Sequence, residues 1–426
     1  MPSPPAGARS RAGTGAVSGR AGRLGRLGGR GGLPGRGEGA GAPRPLPAWA
    51  FIGVAVASFG GPLALAAQIA PGTVDDAASS AGFAMLAAVV LFCAPLAIWL
   101  RYSRSVAGAG GLFAFVEAAA GRRVAVVQAA VWTVSYLLYV IYTTVQIVYD
   151  LLPVVLPGER SYQTLLALLI PVAVAGVMIA GRAVAMITIG LIAAGQLVLA
   201  GVLDGVTLAH LSLPASSFGV GAPGGALRSA TAQTSPLYIC GGLPLFLGGE
   251  LATPARTIRR GLTGVYLVTA LVVVLAVAPL AAAPGLTRTE LPGFSVAQQF
   301  AGLGLARAIG IGVAASTAGV ILCEYLALTR LLHAAASWRL RPVTVAVGAI
   351  VVAAAPFSLI DPDGFYTTLI KPSLAALWIS QLIVFAVYPL FTRKRGLPML
   401  PAWALSVVAG GLAVYGLWIS LQQTAS

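Results

Sequence analysis

Two short clusters of glycine and proline carry the residue types best suited to binding chemistry. They lie at residues 58–62 (SFGGP) and 240–244 (CGGLP), each inside a long apolar stretch. Because glycine costs about 1 kcal/mol and proline about 3 kcal/mol in a helix interior, a helix is expected to break at both clusters. The N–H groups exposed at such a break favour an anionic group, and the exposed C=O groups favour an ammonium group. An amino acid carries both.

The apolar stretches around these clusters are long enough to cross a membrane. Hydrophobic residues make up 58% of the 426 residues and charged residues only 9%, whereas a soluble domain carries about a quarter as charged residues. The apolar blocks have the length of about twenty residues that a helix needs to cross a bilayer, and they do not alternate as barrel strands do. The sequence therefore predicts an all-α membrane protein with eleven spans, near 47–70, 80–100, 125–149, 163–181, 185–209, 236–257, 262–283, 304–332, 342–360, 366–392 and 400–421.

The two clusters fall in the first and sixth of these spans. One cluster alone would favour a simple kink or a close helix crossing. Two in corresponding spans favour a cavity, because irregular backbone is tolerated at membrane depth only where it is buried in protein or lines a cavity. Leu237 and Tyr238 precede the second cluster and should help to shape its pocket. We expect substrate contacts, mostly through backbone groups, from Ser58, Phe59, Gly60, Gly61, Leu237, Tyr238, Cys240, Gly241 and Gly242.

The order of these features divides the chain into three regions. Residues 1–46 form a Gly/Arg/Pro-rich tail that is too poor in apolar groups to fold, and disorder is expected there. Residues 47–395 should form a ten-span core in which 47–209 and 236–392 are inverted repeats, each opening on a broken helix. Residues 396–426 would add one further span.

The basic residues indicate orientation in the membrane. With a cytoplasmic N-terminus, 22 of the 27 Lys and Arg residues would lie on the cytoplasmic side, eight of them in the tail. This asymmetry predicts a multi-pass protein of the bacterial inner (plasma) membrane, surrounded by lipid, with an extracellular C-terminus. The fragment GGRGG in the tail is compatible with RNA binding, but an orienting tail is the favoured interpretation and no nucleic-acid partner is expected.

Three further motifs follow each other in the order found in a known family. They are AGGLFAFVEAAAGR (109–122), GGELATPARTIRRG (248–261) and FSVAQQFAG (294–302). Together with the two clusters, they resemble the amino acid–polyamine–organocation superfamily over about residues 47–395. The resemblance implies a LeuT-type fold and secondary transport of amino acids or related small molecules by alternating access. It also implies that Glu250 and Arg256 form a cytoplasmic gate or loop anchor, the alternative being that the basic residues only set orientation.

The resemblance also bears on the coupling ion. Proton-coupled relatives have a Lys where the fifth span has Gln196, and an amide cannot carry a proton. Ser316 and Thr317 match hydroxyls that complete a cation site in sodium-coupled relatives, although Ser and Thr also bond helix carbonyls routinely. Sodium coupling is therefore a hypothesis. Na⁺ and H⁺ are the candidate coupling ions, and no other cofactor is expected.

The ionisable residues favour a neutral substrate. Asp204, Arg307 and Lys371 are expected toward the outer span ends, and Glu117 and Glu324 toward the inner ends, where such residues can reach the interface or pair. A neutral amino acid is the expected substrate. A polytopic membrane enzyme or a channel is the alternative, but the sequence has no GxSxG, HExxH or Walker-type motif, no Cys/His metal spacing and no repeated filter sequence.

Overall fold

The computed structural model describes residues 45–106, 108, 110–156 and 161–422. The predicted tail therefore lies outside the described residues, apart from its last two positions. Leu46 differs from the prediction, because its N–H donates to the C=O of Glu250 at 2.7 Å and its backbone pairs with Leu251. The folded core begins before residue 47, since this pairing holds the entry to the first span against the end of the sixth.

Helices make up nearly all of the described chain. Ten of the predicted spans are helices long and apolar enough to cross a membrane, namely Ala48–Thr73, Ala81–Ser103, Arg122–Val155, Ser161–Ile179, Arg182–Leu211, Pro254–Ala282, Leu303–Ala336, Leu340–Leu359, Pro362–Lys394 and Met399–Gln422. The sixth span is the shorter helix Ser235–Glu250. Three connecting helices of the described chain are Leu112–Ala120, Gly224–Thr234 and Pro292–Ala301. The predicted all-α architecture is confirmed.

The first span is interrupted where its glycine cluster lies. Its first helical segment ends at Ser58, and the next begins at Pro62. Gly60 and Gly61 connect the two segments with φ angles of 75° and 65°. These are left-handed conformations that residues with a Cβ adopt only at a cost. The predicted break in this span is confirmed.

The sixth span differs from the prediction. It is a 3₁₀ helix that continues through the second cluster, and neither Gly241 nor Gly242 has a positive φ. The α-helical hydrogen bonds are lost at the cluster as expected, but the hydrogen bonds of a tighter helix replace them. A 3₁₀ helix of this length is unusual, because runs longer than three or four residues are uncommon. At a rise of about 2.0 Å per residue, 16 residues extend about 32 Å, enough to cross the hydrocarbon.

The broken first span lies at the centre of the core. It contacts the fifth, sixth, seventh and eighth spans, and with the eighth it is the most buried of the long helices. The third span packs against the eighth and tenth, and the fourth packs against the ninth. The pairing of the third span with the eighth and that of the fourth with the ninth join equivalent spans of the two halves. The eleventh span packs against the second and tenth.

Gly61→Ala should lower the thermal unfolding midpoint of the purified protein in detergent. Alanine would pay about 1–2 kcal/mol for the left-handed backbone, and its Cβ would collide with the hydroxyl of Ser316. Gly72→Ala is the matched control, because it lies in the same span, has no positive φ and has no atom within 4 Å of an added Cβ. Equal losses in the two variants would contradict the assigned break.

Candidate substrate and ion site

A cavity of about 370 Å³ lies beside the break in the first span. The first, third, sixth, eighth, tenth and eleventh spans contribute to its walls. Four of the residues singled out in the sequence line it, namely Gly60, Leu237, Cys240 and Thr317. The volume is within the range of about 300–1,000 Å³ that is usual for small-molecule sites.

The cavity lining is polar in part, and none of the described residues that form it has a charged side chain. Tyr139, Tyr142 and Tyr366 form an aromatic wall, with ring centroids 5.1 Å apart for the first two and 5.4 Å apart for the last two. The other polar lining side chains are Gln68, Thr73, Gln146, Gln233, Thr317, Trp378, Cys240 and Ser420. Such a surface can hydrogen-bond to a small molecule and stack against an apolar or aromatic group.

Most of this lining was missed by the sequence analysis. The glutamines at 68 and 146 carried a usable signal, because a buried amide is costly inside an apolar span unless it has a partner or lines a cavity. Tyr139 lines the cavity, whereas Tyr136 on the same span packs against Trp132 with ring centroids 4.9 Å apart. No local signal distinguishes the two tyrosines, because their faces are set by packing between distant spans.

The remaining predicted contact residues lie behind the cavity wall. Phe59 is fully buried, and its ring lies where a Cβ of Gly241 would be. Tyr238 is also buried and packs on Phe92 and Tyr266 with centroids 5.6 and 5.4 Å away. The residues that the structure leaves off the cavity lining are Ser58, Phe59, Gly61, Tyr238, Gly241 and Gly242. Their packing holds the first and sixth spans together.

Gly61, Gln196 and Ser316 come together behind the break. The Ser316 hydroxyl donates to Gln196 Oε1 at 2.5 Å, and both atoms lie close to the position of an added Cβ on Gly61. Gln196 Nε2 has no hydrogen-bond partner among the described residues. Thr317 instead donates to the C=O of Val313 at 3.0 Å, the helix-carbonyl bond foreseen as its alternative role. The sequence selected Gln196 and Ser316 separately, and the fold brings them into contact.

Glu324 is the main correction to the predicted charge distribution. The sequence predicts it near the inner span end, where it could reach the interface or pair. Its side chain is instead buried, at 1% exposure, and forms no ion pair within the described chain. The thiol of the cavity residue Cys240 donates to it, with Sγ 3.9 Å from Oε1. The expectation that Glu324 can reach the interface or pair is therefore wrong.

Comparisons with known proteins show the fold of this chain. No family model and no curated protein matches the sequence. Among solved structures, the chain is similar to MhsT in its crystal structure in complex with L-phenylalanine, with a TM-score of 0.59 over 90% of this chain and 99% of MhsT. The fold is the LeuT type. At 15% sequence identity, the likeness carries the fold and no more.

At one end of this LeuT-type core, Glu250 joins three segments. Its Oε1 accepts a hydrogen bond from Nε of Arg330 at 2.6 Å, and its Oε2 is 3.4 Å from a guanidinium nitrogen of Arg182. The backbone contact with Leu46 adds the start of the first span. Arg256, selected with Glu250 from the sequence, is exposed and forms no ion pair with any residue in the described ranges. The arginines that Glu250 contacts could not be identified from the local motif because they are distant in sequence.

Glu250→Gln should lower the free energy of unfolding by about 3 kcal/mol, because it leaves the buried Arg330 guanidinium without its anion. The matched control is Glu117→Gln, which breaks the ion pair with Arg122, in which both partners are much more exposed. The control should lose at most about 1 kcal/mol. Chemical unfolding of both variants in the same detergent measures the difference, and comparable losses would count against a buried ion pair.

Proposed function

We propose that this protein is a secondary transporter for neutral amino acids or closely related small molecules, working by alternating access. The main support is the uncharged, partly aromatic cavity beside the unwound first span. A neutral lining suits a zwitterion, whose charges can be met by backbone dipoles without a charged side chain. The L-phenylalanine in the MhsT structure is consistent with a ligand of this class in a LeuT-type fold.

In this proposal the substrate lies against Gly60. Its ammonium group meets C=O groups at the end of the segment Ala48–Ser58, and its carboxylate meets N–H groups in the segment that begins at Pro62. Its side chain extends toward Leu237 and the tyrosine wall. The backbone thus binds the charged groups of the substrate, and the cavity wall selects among substrate side chains.

The two ends of the core have different roles in the transport cycle. The cavity includes Gln68 and Thr73 from the second half of the first span, which the distribution of arginines assigns to the outer side. Glu250 and Arg330 close the opposite, cytoplasmic side. This arrangement corresponds to an outward-facing state, in which opening of the Glu250 contacts would release substrate to the cytoplasm. The protein is accordingly proposed for a bacterial plasma membrane with a cytoplasmic N-terminus.

Uptake into liposomes tests the proposal directly. Purified protein should accumulate one or more labelled neutral amino acids, L-phenylalanine among them, in a saturable manner and under an imposed ion gradient. Leu237→Trp should abolish this uptake, because the larger ring fills the cavity. Leu267→Trp is the control, since that leucine lies exposed on the seventh span. Absence of saturable uptake of all twenty amino acids by the wild-type protein, or equal uptake by both variants, would contradict the proposal.

Sodium is a candidate coupling ion at the cluster behind the break. Oxygen atoms suit it, and Ser316 Oγ, Gln196 Oε1 and nearby carbonyls of the first span supply them. We expect uptake to rise with an inward sodium gradient and Ser316→Ala to weaken that dependence. Thr329→Val is the control, because it removes a buried hydroxyl from the same helix outside the cluster. Uptake that is insensitive to sodium would remove this ion from the proposal.

A further inference from the structure

Glu324 has a carboxyl group that the proposed substrate site does not use. It lies on the eighth span, one helical turn beyond Val320, which lines the cavity. Cys240 lines the cavity as well, and its Sγ is 3.9 Å from Oε1 of Glu324. The other oxygen, Oε2, has no hydrogen-bond partner in the part of the chain that the structure describes. The carboxyl therefore lies immediately behind the cavity floor.

Among the described residues, the titratable groups that face this carboxyl carry no positive charge. The sixth span contributes the Cys240 thiol, and the eighth contributes the neighbouring Cys323 thiol. The third span contributes the hydroxyls of Tyr136, Tyr139 and Tyr142. The adjoining first-span segment Ala48–Ser58 has no titratable side chain. These neighbours can exchange hydrogen bonds with a carboxyl group but cannot neutralise a carboxylate.

The nearest arginine along the helix is already engaged. Arg330 lies six residues beyond Glu324 and forms its ion pair with Glu250. An isolated ionised carboxylate is very costly to bury, so such a group takes up a cation or a proton. A proton needs only the free position at Oε2, which has no hydrogen-bond partner among the described residues, whereas a metal cation needs several oxygen ligands.

Glu324 is placed where water could reach it from only one side of the membrane at a time. At about 1.5 Å of rise per residue, it lies about 6 Å beyond the Val320 level and about 9 Å before the Arg330 level. It is thus located between the cavity floor and the cytoplasmic ion pair. Opening of that ion pair would admit water from the cytoplasm to a carboxyl that is buried in the outward-facing state.

We infer that Glu324 is a proton-binding site that couples proton movement to transport, an inference that rests on the proposed function. The carboxylate takes a proton from water on the outer side through the cavity, forming the O–H bond at Oε2. After the cytoplasmic side opens, that bond breaks and the proton passes to cytoplasmic water. Substrate and proton therefore move in the same direction, and no other reactant is consumed.

Glu324→Gln tests the coupling, because glutamine has nearly the shape of the protonated acid but cannot release a proton. In liposomes containing a pH-sensitive dye, addition of L-phenylalanine or another amino acid taken up by the wild type should acidify the interior. The Gln variant should lose this acidification and the acceleration of uptake by an inward proton gradient, yet retain exchange of labelled for unlabelled substrate. Glu117→Gln, which alters an acidic residue outside the core, should behave as wild type.

A spectroscopic measurement separates failure of this inference from failure of the proposed function. Infrared difference spectra across pH should contain a carboxylic acid C=O band in wild-type protein that is missing from Glu324→Gln, whether or not any amino acid is transported. A wild-type spectrum without a Glu324 acid band at any pH would overturn the inference. So would a Gln variant with unaltered proton movement, or one that loses only its uptake of substrates with an additional positive charge, which would indicate an amine-binding carboxylate.

Discussion

Inside a bilayer each backbone N–H or C=O group without a hydrogen-bond partner costs several kcal/mol, so a broken helix must be enclosed by protein or by a polar cavity. The left-handed residues Gly60 and Gly61 break the first span and so leave backbone groups there that need partners. The fold meets this need by surrounding that span with four others and by opening a polar cavity at Gly60. The proposed recognition of a zwitterion follows from the same constraint, since a ligand with both charges can satisfy both kinds of exposed group.

Similar glycine and proline clusters produce different backbones in the two halves. Composition correctly indicated that an α-helix is disfavoured at both, because glycine and proline are its poorest formers. It could not indicate what replaces the α-helix. In the first span the replacement is a pair of left-handed residues, and in the sixth it is a 3₁₀ helix. The Phe59 ring lies directly against Gly241, so the form of the sixth span depends on a contact with a segment far away in sequence.

Long helices explain why the spans were predictable while the depth of individual residues was not. The eighth span has 34 residues and is about 51 Å long at α-helical rise, well beyond the bilayer core. The number of residues between Glu324 and the end of the span therefore does not give its depth in the membrane, although the span itself was predicted correctly. The tyrosine wall and Trp378 were beyond reach for a related reason, because the third, tenth and eleventh spans meet only through tertiary packing. The order of motifs along the chain was enough to predict the LeuT-type fold. It did not predict which side chains point into the cavity.

In the proposed transporter, Glu324 lies behind an uncharged cavity wall, so substrate selection and proton binding are assigned to different residues. Residues that touch the substrate can then select a side chain by size and polarity alone, because no lining group carries a charge that would dominate the choice. In the proposed cycle the carboxyl responds instead to whether water reaches it, and Cys240 and Val320 lie between it and the cavity. In the proposed transporter, a change from one apolar side chain to another at Leu237 would therefore alter substrate preference and leave the polar groups around Glu324 in place, whereas a change at Tyr139 or Tyr142 would remove a hydroxyl that faces the carboxyl.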